Sequence, residues 1–183
     1  PAVSRPSKPD HRVRPGDGLG ACSKKGVYGW RLTIMLKNNI KICILLAAYN
    51  GEQFIEQQIN SILGQTFKEW KLLVRDDHSD DGTLNILKSM KERDNRIEIL
   101  CDGEEKRLGA FNNFGRLSEY AWKQYNPDYI LYSDQDDVWF ENKIEVLIKS
   151  IKTHEDEIGY KPILVHSNYQ IVNQNLENLF IEK

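Results

Sequence analysis

From Ile40 onward the apolar positions keep two alternating rhythms. Ile42-Cys-Ile-Leu-Leu-Ala-Ala48 is an unbroken apolar run of strand length, after which Phe54, Ile55, Ile59, Ile62 and Leu63 return at helix spacing. Trp70-Lys-Leu-Leu-Val74 predicts a second strand, and Leu84, Leu87 and Met90 follow a helix start at Asp81-Gly-Thr83. Ile97 to Cys101 predicts a third strand, with Phe111, Phe114, Leu117 and Ala121 as the next helical stripe. Tyr129 to Tyr132 predicts a fourth, with Ile144, Leu147, Ile148 and Ile151 behind it. Ile163-Leu-Val-His166 closes the series as a strand, and the alternation from Tyr169 to Ile181 suggests a hairpin. Trp70 and Trp122 read as core and Phe111 and Phe114 as packing positions, while Trp139 suits a roof over the core as well as an aromatic platform for a ligand.

Strands and helices alternating at this spacing predict βαβ units, hence an α/β fold with a mostly parallel central sheet and helices on both faces. In such sheets ligands bind beyond the carboxyl ends of the strands. With 183 residues, 40% hydrophobic and 28% charged, the chain can bury one core, which the pattern places in residues 37–183. Residues 1–36 mix Pro, Gly and Arg without a period and read as a disordered or non-native extension. They hold seven Lys/Arg and two Asp, which leaves 18 basic against 25 acidic residues and a charge of −7 for the rest. That sign argues against a nucleic-acid partner. The longest apolar run is too short to span a bilayer, so contact with a membrane is expected to be peripheral at most. Cys22, Cys43 and Cys101 lack zinc spacing and read as reduced thiols of a cytoplasmic protein.

Polar clusters follow three of the predicted strands: Tyr49-Asn-Gly-Glu52, Asp76-Asp-His-Ser-Asp-Asp-Gly-Thr83 and Asp134-Gln-Asp-Asp137. All three therefore meet at one sheet edge. Helix capping accounts for Asp81 to Thr83, whereas Asp76, Asp77, Asp134, Asp136 and Asp137 would repel one another without a positive charge among them. Oxygen donors select Mg²⁺ or Mn²⁺, and such ions share their ligands with substrate phosphates. No glycine-rich phosphate loop is present, so a metal and carboxylates would have to hold the diphosphate.

ICILLAAYNGE (42–52), LVRDDHSDDGT (73–83), Arg107-Leu-Gly109 with Asn113-Phe114, and YSDQDDVW (132–139) resemble the successive motifs of family-2 glycosyltransferases. The resemblance implies a GT-A type, Rossmann-like sandwich and an inverting transfer of sugar from a nucleoside-diphosphate donor. It implies that Ala48, Tyr49, Asn50 and Glu52 line the nucleotide pocket and that Asp76 and Asp77 read the base. Gly109, Asn113, Asp134 and Gln135 would complete the nucleotide-sugar site, with Asp134 and Asp136 on a Mg²⁺ or Mn²⁺ ion. The SDQDDVW form with His166-Ser167 is similar to bacterial rhamnosyltransferase-like members, which implies a dTDP-sugar, a saccharide or lipid-linked acceptor and surface polysaccharide as product. His78 stands where the family usually has a small residue such as Gly. The family's catalytic base lies on an acceptor-side segment, expected beyond Lys183. Two other classes also gather carboxylates at strand ends: a Mg²⁺-dependent aspartate phosphotransfer domain and a nucleotide-binding fragment without activity. His11, His154 and His166 lack ligand spacing and read as structural.

Overall fold

Four parallel strands, β1 (Ile42–Ala48), β2 (Trp70–Asp76), β3 (Ile97–Ile99) and β4 (Tyr129–Ser133), form one sheet in the order β3-β2-β1-β4. The computed structural model describes residues 40–101, 103, 106–158, 161–173 and 175–177. The expectation for residues 1–36 lies outside them. β1 pairs on both sides, Ile42 opposite both Trp70 and Tyr129, and its unbroken apolar sequence reflects burial on both faces.

The helices are α1 (Ile55–Leu63), α2 (Thr83–Arg93), α3 (Ala110–Tyr125) and α4 (Lys143–Ile158). Crossovers from β1 to β2 and from β2 to β3 step one way along the sheet, and the crossover from β3 to β4 steps back past β1. Right-handed connections therefore place α1 and α2 on one face and α3 on the other. On the α3 face, Cys43, Leu45 and Leu73 pack with Leu117 and Ala121. Toward the opposite face point Ile42, Ile44, Leu46, Leu72 and Val74, all buried, as are Ile55, Ile59 and Ile62 of α1 and Leu87 and Met90 of α2. Each such Leu or Ile contributes about 1.5–3 kcal/mol. Through Gln65, whose amide donates to the Phe140 carbonyl (2.8 Å) and accepts from the Ile144 N–H (3.1 Å), the start of α4 is tied to the end of α1. The strand order reverses between β1 and β4, so the polar turns after both flank a topological switch point.

Several expectations need correction. Ile163 to His166 forms no strand, and Leu164 is 89% exposed, because the run has no partner strand among the described residues. Within Tyr169 to Ile181 the described part holds a single bridge residue, Val172, and a turn at Asn173 to Glu177, not a hairpin; residues 178–181 lie outside the description. The third strand ends at Ile99, although the Leu100 N–H still reaches the Val74 carbonyl. Trp70 and Trp139 are buried, but Trp122 and Phe111 are exposed. Helix α3 carries apolar residues on two sides: Leu117 and Ala121 face the sheet together with the buried polar Asn113, and Phe111 and Trp122 lie on the opposite side. Cys43 is buried and Cys101 exposed, both as free thiols. Among the described residues, no helix is long and apolar enough to cross a membrane.

Candidate functional site

The loops after β1 and β2 lock together through main-chain groups and short polar side chains. The Asn50 N–H donates to Ser79 Oγ (2.9 Å), the Gly51 N–H to Thr83 Oγ1 (2.8 Å) and the Glu52 N–H to Asp81 Oδ2 (3.1 Å). In return, Asn50 Oδ1 accepts from the Asp80 N–H (3.0 Å), and Glu52 Oε2 from the Gly82 N–H (2.8 Å). Asn50 and Glu52 thus hold the two loops in register. Asp76 folds back on Ser79, accepting from its N–H at 3.1 Å and from its hydroxyl. His78, next in the turn, has φ +61°, a left-handed backbone that favours glycine. That conformation explains why a small residue suits this position.

Asp77 is buried, and both its oxygens are engaged. Oδ1 accepts from Arg75 (2.8 Å) and from the Leu108 N–H (2.9 Å); Oδ2 accepts from the Gly109 N–H (2.7 Å). Burial alone would push this carboxyl up, but the donors Leu108, Arg75 and Gly109 outweigh it and hold the group below the usual carboxylate range. The carboxylate also sits at the entrance of α3, where the helix dipole favours negative charge. Gly109, at φ +80°, makes the turn into that helix. Asn113 is buried one turn into α3; its side chain donates to the Arg75 carbonyl (3.2 Å) and accepts from the Arg75 guanidinium (3.3 Å). Asp77, Gly109, Asn113 and Arg75 therefore form one assembly joining β2 to α3.

Above it, the Arg107 guanidinium lies over the Tyr49 ring at 3.5 Å, with Nε 3.9 Å from Asp77 Oδ2. Arg75 and Arg107 received no role from the sequence. The signals were an arginine inside an apolar strand ahead of two aspartates, and the Arg of Arg107-Leu-Gly109. Ala48 is buried at the end of β1, where its carbonyl accepts from the Asp77 N–H (2.8 Å).

The turn after β4 carries Asp134, Asp136 and Asp137. Partial desolvation, then the charges of Asp137 and Asp136, raise Asp134 above the usual carboxylate value. These carboxylates are close enough to repel one another, which is the electrostatic condition a cation relieves. Among the described residues no three acidic, histidine or cysteine side chains converge on a metal position. An ion held by Asp134 and Asp136 would have to complete its shell with other oxygens, such as those of phosphate and water. Asp134 and Asp137 also line a groove of about 460 Å³ with Phe111, Phe114, Ser118 and Tyr132, on the α3 side of β4. Trp139 is buried under Lys143, whose Nζ lies 4.7 Å from the ring centre, so its face is not open to a sugar.

Gln135 joins the two halves. Its side-chain oxygen accepts from the Tyr49 N–H (2.8 Å), and its side-chain nitrogen donates to the Tyr49 carbonyl (2.9 Å).

The sheet order, the polar turns at its carboxyl edge and the acidic turn after β4 all fall within residues 43–168, which match the profile described as "Glycosyl transferase family 2". The chain belongs to that family. The "UDP-Glc:alpha-D-GlcNAc-diphosphoundecaprenol beta-1,3-glucosyltransferase WfgD" of Escherichia coli is 32% identical over 73% of this chain and 47% of the relative. The "dTDP-rhamnosyl transferase RfbG" of Shigella flexneri is 39% identical over 55% of this chain and 34% of the relative. The crystal structure of S. aureus TarS 1-349 in complex with UDP superposes with a TM-score of 0.51 at 26% identity, covering 63% of this chain and 33% of that one. The chain thus spans about a third to a half of the length of these relatives. The fold is of the GT-A type, and membership of this family displaces the aspartate-phosphotransfer alternative.

Proposed function

We propose that this chain provides the donor-binding part of a glycosyltransferase that moves a sugar from a nucleoside-diphosphate donor to a saccharide or lipid-linked acceptor in surface-polysaccharide synthesis. The observation that carries the reading is the acidic turn Asp134, Asp136 and Asp137 at the carboxyl end of β4, set across the switch point from the Tyr49 loop and bonded to it through Gln135. The base would lie near Tyr49 and the Asp77 assembly, and the diphosphate would extend toward the turn after β4. A Mg²⁺ or Mn²⁺ ion held by Asp134 and Asp136 would supply charge stabilisation on the leaving diphosphate. Tyr49, with Arg107 stacked over one face of its ring, would flank the base. The Asp77 assembly fixes the entrance of α3, and the loop network after β1 and β2 keeps the pocket from rearranging, the preorganisation on which electrostatic stabilisation depends. In an inverting displacement a carboxylate deprotonates the acceptor hydroxyl, and the family resemblance puts that group on an acceptor-side segment. For residues 37–183 the reading therefore claims donor and metal binding.

The names of the relatives suggest two donors, UDP-glucose for WfgD and a dTDP-rhamnosyl donor for RfbG. We favour a dTDP-sugar on the SDQDDVW motif and the higher identity to RfbG. Calorimetry with UDP, dTDP and GDP, with and without Mn²⁺, tests both levels. Metal-dependent binding of at least one is expected, with dTDP the tightest. Preference for UDP would overturn the donor, and no metal-dependent binding of any of them would overturn the function.

A further inference from the structure

We propose that Gln135 is a positioning residue that couples the metal carboxylates to the nucleotide loop, an inference that rests on the donor-binding reading. β1 and β4 pair only as far as Leu46 opposite Ser133. Beyond that point the backbones part, and the side-chain amide of Gln135 takes the place of the next peptide, accepting from the Tyr49 N–H and donating to the Tyr49 carbonyl. This two-point contact lies within the turn that carries Asp134 and Asp136 on either side of it. Fixing Gln135 therefore fixes where both carboxylates stand relative to the Tyr49 ring. Both polar ends of the amide are engaged with Tyr49, which is the geometry of a clamp.

Gly51 provides an independent sign of the same clamp. A Cβ placed on Gly51 would lie 2.4 Å from Gln135 Oε1 and 2.7 Å from its Cδ. The backbone of Gly51 is not in the left-handed region, so its glycine is explained by space and not by conformation. The cross-links of the Tyr49 loop are unequal on its two sides. Five hydrogen bonds tie Asn50, Gly51 and Glu52 to the loop after β2, whereas Gln135 supplies the two that join Tyr49 to the turn after β4. Loss of the amide should release the acidic turn from the base loop and leave the base loop anchored.

The test uses the full 183-residue chain and Gln135→Ala, Gln135→Glu, Gly51→Ala and the Gly51→Ala/Gln135→Ala double variant. Calorimetry measures Mn²⁺ alone, dTDP and UDP alone, and each nucleotide with Mn²⁺; amide hydrogen exchange follows the Tyr49 N–H. In Gln135→Ala the gain in nucleotide affinity produced by Mn²⁺ should fall roughly tenfold to a hundredfold, as for other residues that orient metal ligands. The Tyr49 amide should lose protection in the same variant. Gln135→Glu keeps an acceptor for the Tyr49 N–H but repels its carbonyl, so it should lose the coupling too. Gly51→Ala should reproduce the defect, and the double variant should be no worse than either single one, because the added methyl then fills the space the side chain has left. Unchanged coupling, or unchanged protection of the Tyr49 amide, in a folded Gln135→Ala chain would overturn the inference while the donor-binding reading stood. If the wild-type chain bound neither nucleotide in a metal-dependent way, the donor-binding reading would fail and the coupling with it.

Discussion

Asp77 carries a full charge in the protein interior because three donors converge on it, with Arg75 buried beside it. Removing one partner of such a pair costs about 3–5 kcal/mol, since the remaining charge keeps its desolvation penalty. Asp77→Ala should therefore unfold much of the population, and Asp77→Asn, which keeps an acceptor for the α3 amides, should lose less. The same geometry sets a pH dependence. The folded carboxyl lies below its unfolded value of about 3.9, so its contribution is complete above that value and is lost as pH falls through the folded one. Urea titrations at descending pH should show wild type and Asp77→Asn converging below about pH 4. A constant gap between them would mean that the carboxylate charge contributes nothing to stability.

Helix α3 shows how an element's period can be legible while its buried face is not. Phe111, Phe114, Leu117 and Ala121 predict a helix, and the helix is there, but choosing between its two apolar sides depends on where the sheet lies. Leu117 is fully buried against Cys43, Leu45 and Leu73, so Leu117→Ala should cost about 2–5 kcal/mol by the cavity it leaves. Trp122 is 63% exposed, and Trp122→Gln should stay within about 0.5 kcal/mol. Chemical denaturation of the two variants checks the assignment, and a large loss at Trp122 would reverse it. The strands β1, β2 and β4 were legible because buried parallel strands are written as apolar runs, and the polar clusters behind them marked the site edge. The run at Ile163 to His166 has the same composition, yet a strand exists only where another one pairs with it. What the loop residues do was hidden for a related reason. Asn50, Glu52 and Gln135 meet partners 29 to 86 positions away, and no local pattern records such a bond. The gathering of acidic residues after β2 and β4 was legible as clusters at one sheet edge, whereas Arg75 and Arg107, which surround Asp77, drew no role.

At the scale of the whole molecule, residues 37–183 carry 18 basic and 25 acidic residues, and the donor proposed for them is itself an anion. A negatively charged body repels a free nucleoside diphosphate and attracts a divalent cation, and salt weakens both effects: the screening length shrinks from about 30 Å at 0.01 M to about 8 Å at 0.15 M. The two ligands should therefore respond to NaCl with opposite signs. Without divalent metal, the affinity for dTDP or UDP should rise several-fold across that range as repulsion is screened, an order of magnitude typical of surface fields of a few kT. Over the same range Mn²⁺ affinity should fall, because the attraction of Asp134, Asp136 and Asp137 for the ion is screened. Calorimetric titrations at three salt concentrations, with potassium chloride as a second salt to expose ion-specific effects, would read both trends. If nucleotide affinity without metal fell with salt, cations such as Arg107 and Lys143 would be holding the phosphates directly. The acidic turn after β4 would then need a partner other than a metal-bound diphosphate.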